Sequence, residues 1–88
     1  MQIYVSRDDI EQGRKTSFSN THCPVARAIK RATRKRNVLV GVYWYIIGKE
    51  YIHEKKQPLP KKVSKFIDKM ISSKGEELEP FKFSLKIA

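Results

Sequence analysis

Residues 38–47 read Val-Leu-Val-Gly-Val-Tyr-Trp-Tyr-Ile-Ile, a stretch without a charge in a chain of which 32% is charged. It is too short to cross a bilayer as a helix, which takes about 20 apolar residues. Its β-branched and aromatic side chains favour extended backbone over helix. The stretch therefore predicts a central strand buried on both faces, with the other elements arranged around it.

Upstream, Pro24 suits the first turn of a helix, where its missing N–H costs nothing, and Cys23 falls near the cap. Val25, Ala28, Ile29 and Ala32 recur at i, i+3, i+4 and i+7 and form one apolar stripe. Arg27, Lys30, Arg31, Arg34, Lys35 and Arg36 make this helix and its end strongly basic, with no acidic residue between 24 and 36. Cations near a helix C-terminus stabilise it through the dipole, so part of this cluster needs no ligand. At the start of the chain, Met1, Ile3 and Val5 alternate with Gln2, Tyr4 and Ser6, the pattern of a half-buried strand. Ser6 and Asp9 have the spacing of a helix cap, and Gly13 is expected to close a single turn over Asp8 to Gln12. Arg14 to His22 has no period and reads as a loop of functional interest or a disordered one, with Phe18 folding back onto the core.

Downstream, Gly48 and Lys49 offer a turn, and Glu50 to Glu54 is expected to pair back as an edge strand flanked by Lys55 and Lys56. Gln57 to Pro60 then breaks the chain. Val63, Phe66, Ile67, Met70 and Ile71 follow the helical period, with Lys61, Lys62, Lys65 and Lys69 on the solvent side. Gly75 is a stop signal, and Glu76, Glu77 and Glu79 make an acidic linker. Phe81, Phe83, Leu85 and Ile87 alternate with Lys82, Ser84 and Lys86, a strand with one buried face. The order β-α-β-β-α-β over one small α+β domain, residues 1–88, is that of the ferredoxin-like unit. It predicts a four-stranded antiparallel sheet with two helices on one face, or an irregular variant.

Composition narrows the function classes. The 19 Lys and Arg against 9 Asp and Glu give a formal charge of +10, which attracts nucleic acid or another polyanion. A lone Cys23 excludes an internal disulfide and fits a reducing cytoplasm. The first residues lack the apolar core of a secretory signal, and no segment reads as transmembrane, so no membrane partner is expected. Catalysis has little to stand on. His22 and Cys23 are sequence neighbours whose side chains do not naturally face each other, and Asp8 and Asp9 suit a helix N-terminus. Cys23, His22 and His53 lack the paired spacing of a metal site, and the glycines form no phosphate loop. The chain reads as a non-enzymatic protein without metal or cofactor.

Binding to nucleic acid is the better reading. Arg27, Lys30, Arg31, Arg34, Lys35 and Arg36 form one basic patch, and Lys61, Lys62, Lys65 and Lys69 a second. If both helices share a sheet face, the patches merge into a surface that contacts phosphates with little sequence preference. Tyr43, Tyr45 and Tyr51 are candidate stacking platforms, although strand aromatics also serve as core or homodimer contacts. The alternative for the charges is a solvated, solubilising surface.

Two resemblances bear on this. The RNA-recognition motif shares the element order, but its glycine and aromatic signature is missing from Glu50 to Glu54, EYIHE. CPVARAIKR at 23–31, LPKKVSKFID at 59–68 and EPFKFSL at 79–85 together look like a group of short uncharacterised proteins encoded by bacteriophages and prophages. That resemblance implies an accessory protein acting in the bacterial host cytoplasm and supplies no activity. It opens a second function: an inhibitor of a host or defence protein, or a protein that sequesters an anionic (cyclic) nucleotide signal, acting through an oligomeric interface in which aromatics and Trp44 make the contacts.

Overall fold

Gly41 divides the apolar stretch into two strands. The computed structural model describes residues 1–14, 21–48, 56–72 and 78–85, and shows β2 (Val38–Val40) and β3 (Trp44–Ile47) as an antiparallel hairpin rather than one central strand. Val38 pairs with Ile47, Leu39 with Ile46 and Val40 with Tyr45, leaving Val42 and Tyr43 at the tip. The Gly41 N–H donates to the Trp44 carbonyl at 2.8 Å. A Cβ on Gly41 would lie 2.3 Å from the Trp44 indole, so the ring occupies the space that any side chain would need. Val38, Val40 and Tyr45 point into the core, while Ile46 is buried on the opposite face, so the apolar character on both faces is used as read.

The elements in chain order are β1 (Gln2–Val5), α1 (Arg7–Arg14), α2 (Pro24–Thr33), β2, β3, β4 (Gln57–Pro58), α3 (Lys61–Ser72) and β5 (Phe81–Ser84). The class is α+β, but among the described residues the expected four-stranded sheet is replaced by two small antiparallel ones, β1–β5 and β2–β3–β4. Gln57 and Pro58, expected to break the chain, instead pair with Tyr45 and Trp44 as the short edge strand β4. The strand expected at Glu50 to Glu54, and the expectations for Phe18, Gly75 and Ile87, lie outside the described residues. No helix among the described residues is long and apolar enough to cross a membrane.

Why no described strand pairs with the outer edge of β1 follows from the hydrogen bonds there. Met1 and Leu85 exchange main-chain bonds at 2.8 and 2.9 Å. By the alternation of an antiparallel ladder, Ile3 and Val5 then turn their main-chain groups to β5, and Tyr4 turns its carbonyl to the outer edge. Arg31 of α2 donates to that carbonyl at 2.8 Å. The guanidinium thus takes the acceptor that a third strand would have used.

Arg31 is held there by Asp9. Its two terminal nitrogens reach the two Asp9 carboxylate oxygens at 2.6 Å each. Asp9 also accepts from the Ser6 N–H at 3.0 Å while Ser6 Oγ accepts from the Asp9 N–H at 3.1 Å, a reciprocal cap on α1. Asp9 has no exposed surface. Burial by itself raises its carboxyl pKa, but the hydrogen bonds from Arg31 and Ser6 and the charge of Arg31 outweigh this and hold it below the ordinary value.

α1 runs two turns, not the single turn expected, because Gly13 continues the helix instead of ending it. A Cβ at Gly13 would stand 2.5 Å from Cδ of Pro24 at the head of α2, so this glycine permits close packing of the two helices. Cys23 caps α2 by accepting the Ala26 N–H at 3.4 Å. The buried face of α2 comprises Pro24, Val25, Ala26, Ala28 and Ile29, whereas Ala32 is exposed one turn further on. α2 lies against β1, α1 and β2. α3 buries Val63 and Ile67, and its Phe66 ring meets Phe81 of β5 at 4.7 Å between centroids. Ile3, Val5, Ile10, Ile29, Val40 and Ile67 belong to one core cluster that joins both sheets and all three helices.

Asp9→Asn keeps the shape but removes the charge that Arg31 answers. Since Arg31 is 53% exposed, the expected loss is about 2–3 kcal/mol, below that of a fully buried pair, and is read in urea unfolding. The native carboxyl ionises below its unfolded value of about 3.9, so the stabilisation is complete well above that pH and fades as pH falls toward the lowered native value. The stability difference between wild type and Asp9→Asn should therefore shrink on acidification below about pH 4. Gly13→Ala should also destabilise, by about 1–3 kcal/mol from overpacking against Pro24, despite a helix-propensity gain of about 1 kcal/mol. A variant as stable as wild type would show that the two helices separate without cost.

Candidate nucleic-acid interface

Six cations of the α2 region divide into two groups. Arg31 is committed to Asp9 and Tyr4. Arg27 lies 3.6 Å from Asp8 and 3.6 Å from Asp9, and its Nε is buried without a hydrogen bond. Lys30 donates to the Thr21 carbonyl at 2.6 Å. All three were expected to face a ligand; Arg27 and Arg31 lie beside carboxylates of α1, and Lys30 is hydrogen-bonded to a main-chain carbonyl. They line a depression with Asp9, Thr21 and His22, where the carboxylate offsets part of the positive potential.

Arg34, Lys35 and Arg36 are exposed and make no ion pair among the described residues. Together with Lys30 and Arg31 they line a shallow depression of about 380 Å³ at the C-terminal end of α2. Arg34 has φ 60° and ψ 23°, the left-handed conformation, and its N–H closes α2 by donating to the Lys30 carbonyl at 2.8 Å. Glycine is the usual residue at such a cap, and a side chain there costs about 1–2 kcal/mol. The capping geometry is satisfied by backbone alone, so nothing in the fold calls for arginine at this position.

A further basic group is on α3. Lys61, Lys62, Lys65 and Lys69 are exposed, as the helical period predicts. The first turn of α3 contains Lys61 and Lys62 and no acidic residue. Positive charge at a helix N-terminus opposes the dipole by about 0.3–1 kcal/mol, so these two lysines do not serve the helix that carries them. Arg34, Lys35 and Arg36 line one depression, and Lys61 and Lys65 line another.

Of the three candidate aromatics, Tyr43 stands at the hairpin tip and is 69% exposed. Tyr45 is a core residue, 6% exposed, whose hydroxyl pKa is raised by burial, so it offers no platform to a base. Tyr51 lies outside the described residues. Trp44 is half-buried, with the Lys56 ammonium 4.5 Å from its ring centroid.

The remaining reactive groups are placed for structure. Cys23 is buried, and burial pushes its thiol pKa up, which suppresses the nucleophilic thiolate. His22 Nδ1 shares a hydrogen bond with the Thr21 hydroxyl at 2.8 Å. Among the described residues, no three His, Cys, Asp or Glu side chains gather as a metal site would require. No family model matches the chain, and neither the curated proteins nor the solved structures include a significant match to it.

Proposed function

We propose that this is a non-enzymatic accessory protein, of the phage-encoded kind that its sequence resembles, which binds the phosphate backbone of nucleic acid with little sequence preference. The observation that carries the reading is Arg34: an exposed arginine, without an ion pair among the described residues, in a left-handed cap position where glycine would be less strained. Strain retained at an exposed site points to use of the side chain. Lys35 and Arg36 adjoin it, and the three present exposed cations of the type that replaces condensed counterions. Lys61 and Lys62 extend the argument, since their position likewise costs helix stability. Lys30 and Arg31 are left out of the interface because internal acceptors already hold them, and Arg27 because it faces Asp8 and Asp9.

Fluorescence anisotropy of labelled oligonucleotides between about 50 and 200 mM salt tests this, because phosphate binding weakens steeply over that range. Saturable binding with a linear fall of log K against log salt is expected. Reversing Arg34, Lys35 and Arg36 to Glu should reduce the slope on duplex DNA by about 2–3, close to 0.9 for each phosphate released, with little change in thermal stability. Arg34→Gly should weaken binding while leaving stability unchanged or raised by up to about 1 kcal/mol, because relief of the left-handed strain offsets the entropy that glycine adds to the unfolded chain. A triple variant that binds as wild type removes the α2 end from the interface.

A further inference from the structure

The hairpin tip and α3 enclose an open cleft of about 410 Å³, lined by Tyr43, Leu59, Lys61, Ser64, Lys65 and Asp68. We infer that this cleft receives a base of single-stranded nucleic acid, stacked on Tyr43 with its flanking phosphates on Lys61 and Lys65. The inference rests on the phosphate-binding function proposed above and adds the form of nucleic acid preferred.

The cleft is built by backbone contacts. The Leu59 N–H donates to the Tyr43 carbonyl at 3.0 Å, which fixes the hairpin tip against the start of α3. An aromatic ring on a tethered backbone loses little freedom when a base stacks on it. On α3, Lys61, Ser64, Lys65 and Asp68 recur at i, i+3, i+4 and i+7, so they form one polar stripe facing the ring. Leu59 is buried and gives the cleft an apolar floor between ring and stripe. The volume falls in the range of about 300–1,000 Å³ typical of small-ligand sites, enough for a splayed-out base.

The chemistry of the lining distinguishes single strands from duplex. Bases inside a duplex are stacked on each other and offer no face to a protein ring, whereas an unpaired base does. Asp68 makes no ion pair among the described residues and would repel a phosphate at close range. Its carboxylate is suited to accept from an amino group on a base edge, as acidic side chains do from cytosine N4. The two lysines stand one turn apart and supply the opposite charge for the backbone. Aromatic ring, apolar floor, hydrogen-bonding groups and paired cations together match a nucleotide better than they match a protein surface or a lipid headgroup.

The test compares a labelled single-stranded oligonucleotide with its duplex, using wild type, Tyr43→Ala, Tyr43→Phe and the Arg34/Lys35/Arg36 charge reversal. Wild type should prefer the single strand. Tyr43→Ala should weaken single-strand binding about tenfold, with duplex affinity and salt slope unchanged, and Tyr43→Phe should restore the loss. Equal binding of single strand by Tyr43→Ala and wild type, or an equal loss on both substrates, overturns the inference. If the charge reversal still lowers the duplex salt slope in that case, the general phosphate-binding function stands without the cleft. If wild type binds neither substrate at physiological salt, both fall together.

Discussion

Asp9 is the constraint on which the first half of the molecule depends. One buried carboxylate caps α1 through Ser6, neutralises Arg31 from α2, and attracts Arg27 one helical turn earlier. A carboxylate without exposed surface is tolerable only when its lone pairs are filled, and here the Ser6 N–H and the two Arg31 nitrogens fill them. The same guanidinium covers the outer edge of β1 by occupying the Tyr4 carbonyl. Strand, helix and sheet edge are therefore fixed by one bidentate pair. Its net stabilisation is modest, while its geometric consequence is large.

That commitment changes how the charge of the chain is understood. A formal excess of +10 looks like a uniform polyanion attractant, yet Arg27 and Arg31 face carboxylates of α1 and Lys30 is tied to the Thr21 carbonyl. Among the described residues of α2 and α3, two sets of outward cations stand apart from these, and they differ in what they cost. At the end of α2, basic residues favour the helix dipole, but Arg34 bears left-handed strain. In the first turn of α3, Lys61 and Lys62 oppose the dipole. Both departures from the locally stable choice fall on exposed residues, where packing cannot account for them.

Glycine plays a parallel part in the core. At Gly41 the Trp44 indole lies where a side chain would be, and at Gly13 the Pro24 ring does. Neither position is explained by left-handed backbone. Each is a close approach between elements, one shaping the hairpin that presents Tyr43, the other seating α1 on α2. The hairpin tip is then secured by the Leu59 bond to Tyr43, so the proposed base platform is a consequence of how β3 leads past β4 into α3.

The sequence by itself determined what depends on near neighbours. The alternation of Phe81, Phe83 and Leu85, the helical repeat of Val63 and Ile67, the Ser6–Asp9 cap, the Pro24 start and the exposure of the α3 lysines all follow from spacing along a few residues. Tertiary structure alone decided the rest. An apolar run with a glycine in it reads equally as one strand or as a hairpin, and in an unbroken strand Tyr43 and Tyr45 would share a face. The turn at Val42 and Tyr43 separates them, one into solvent and one into the core. Likewise, no local pattern marks Arg31 as the partner of Asp9, 22 residues away, or shows that this arginine closes a sheet rather than meeting a ligand. Periodicity assigns a residue to a face. Which group meets it there depends on how separate elements dock, and that is fixed only once burial of the common core brings them together.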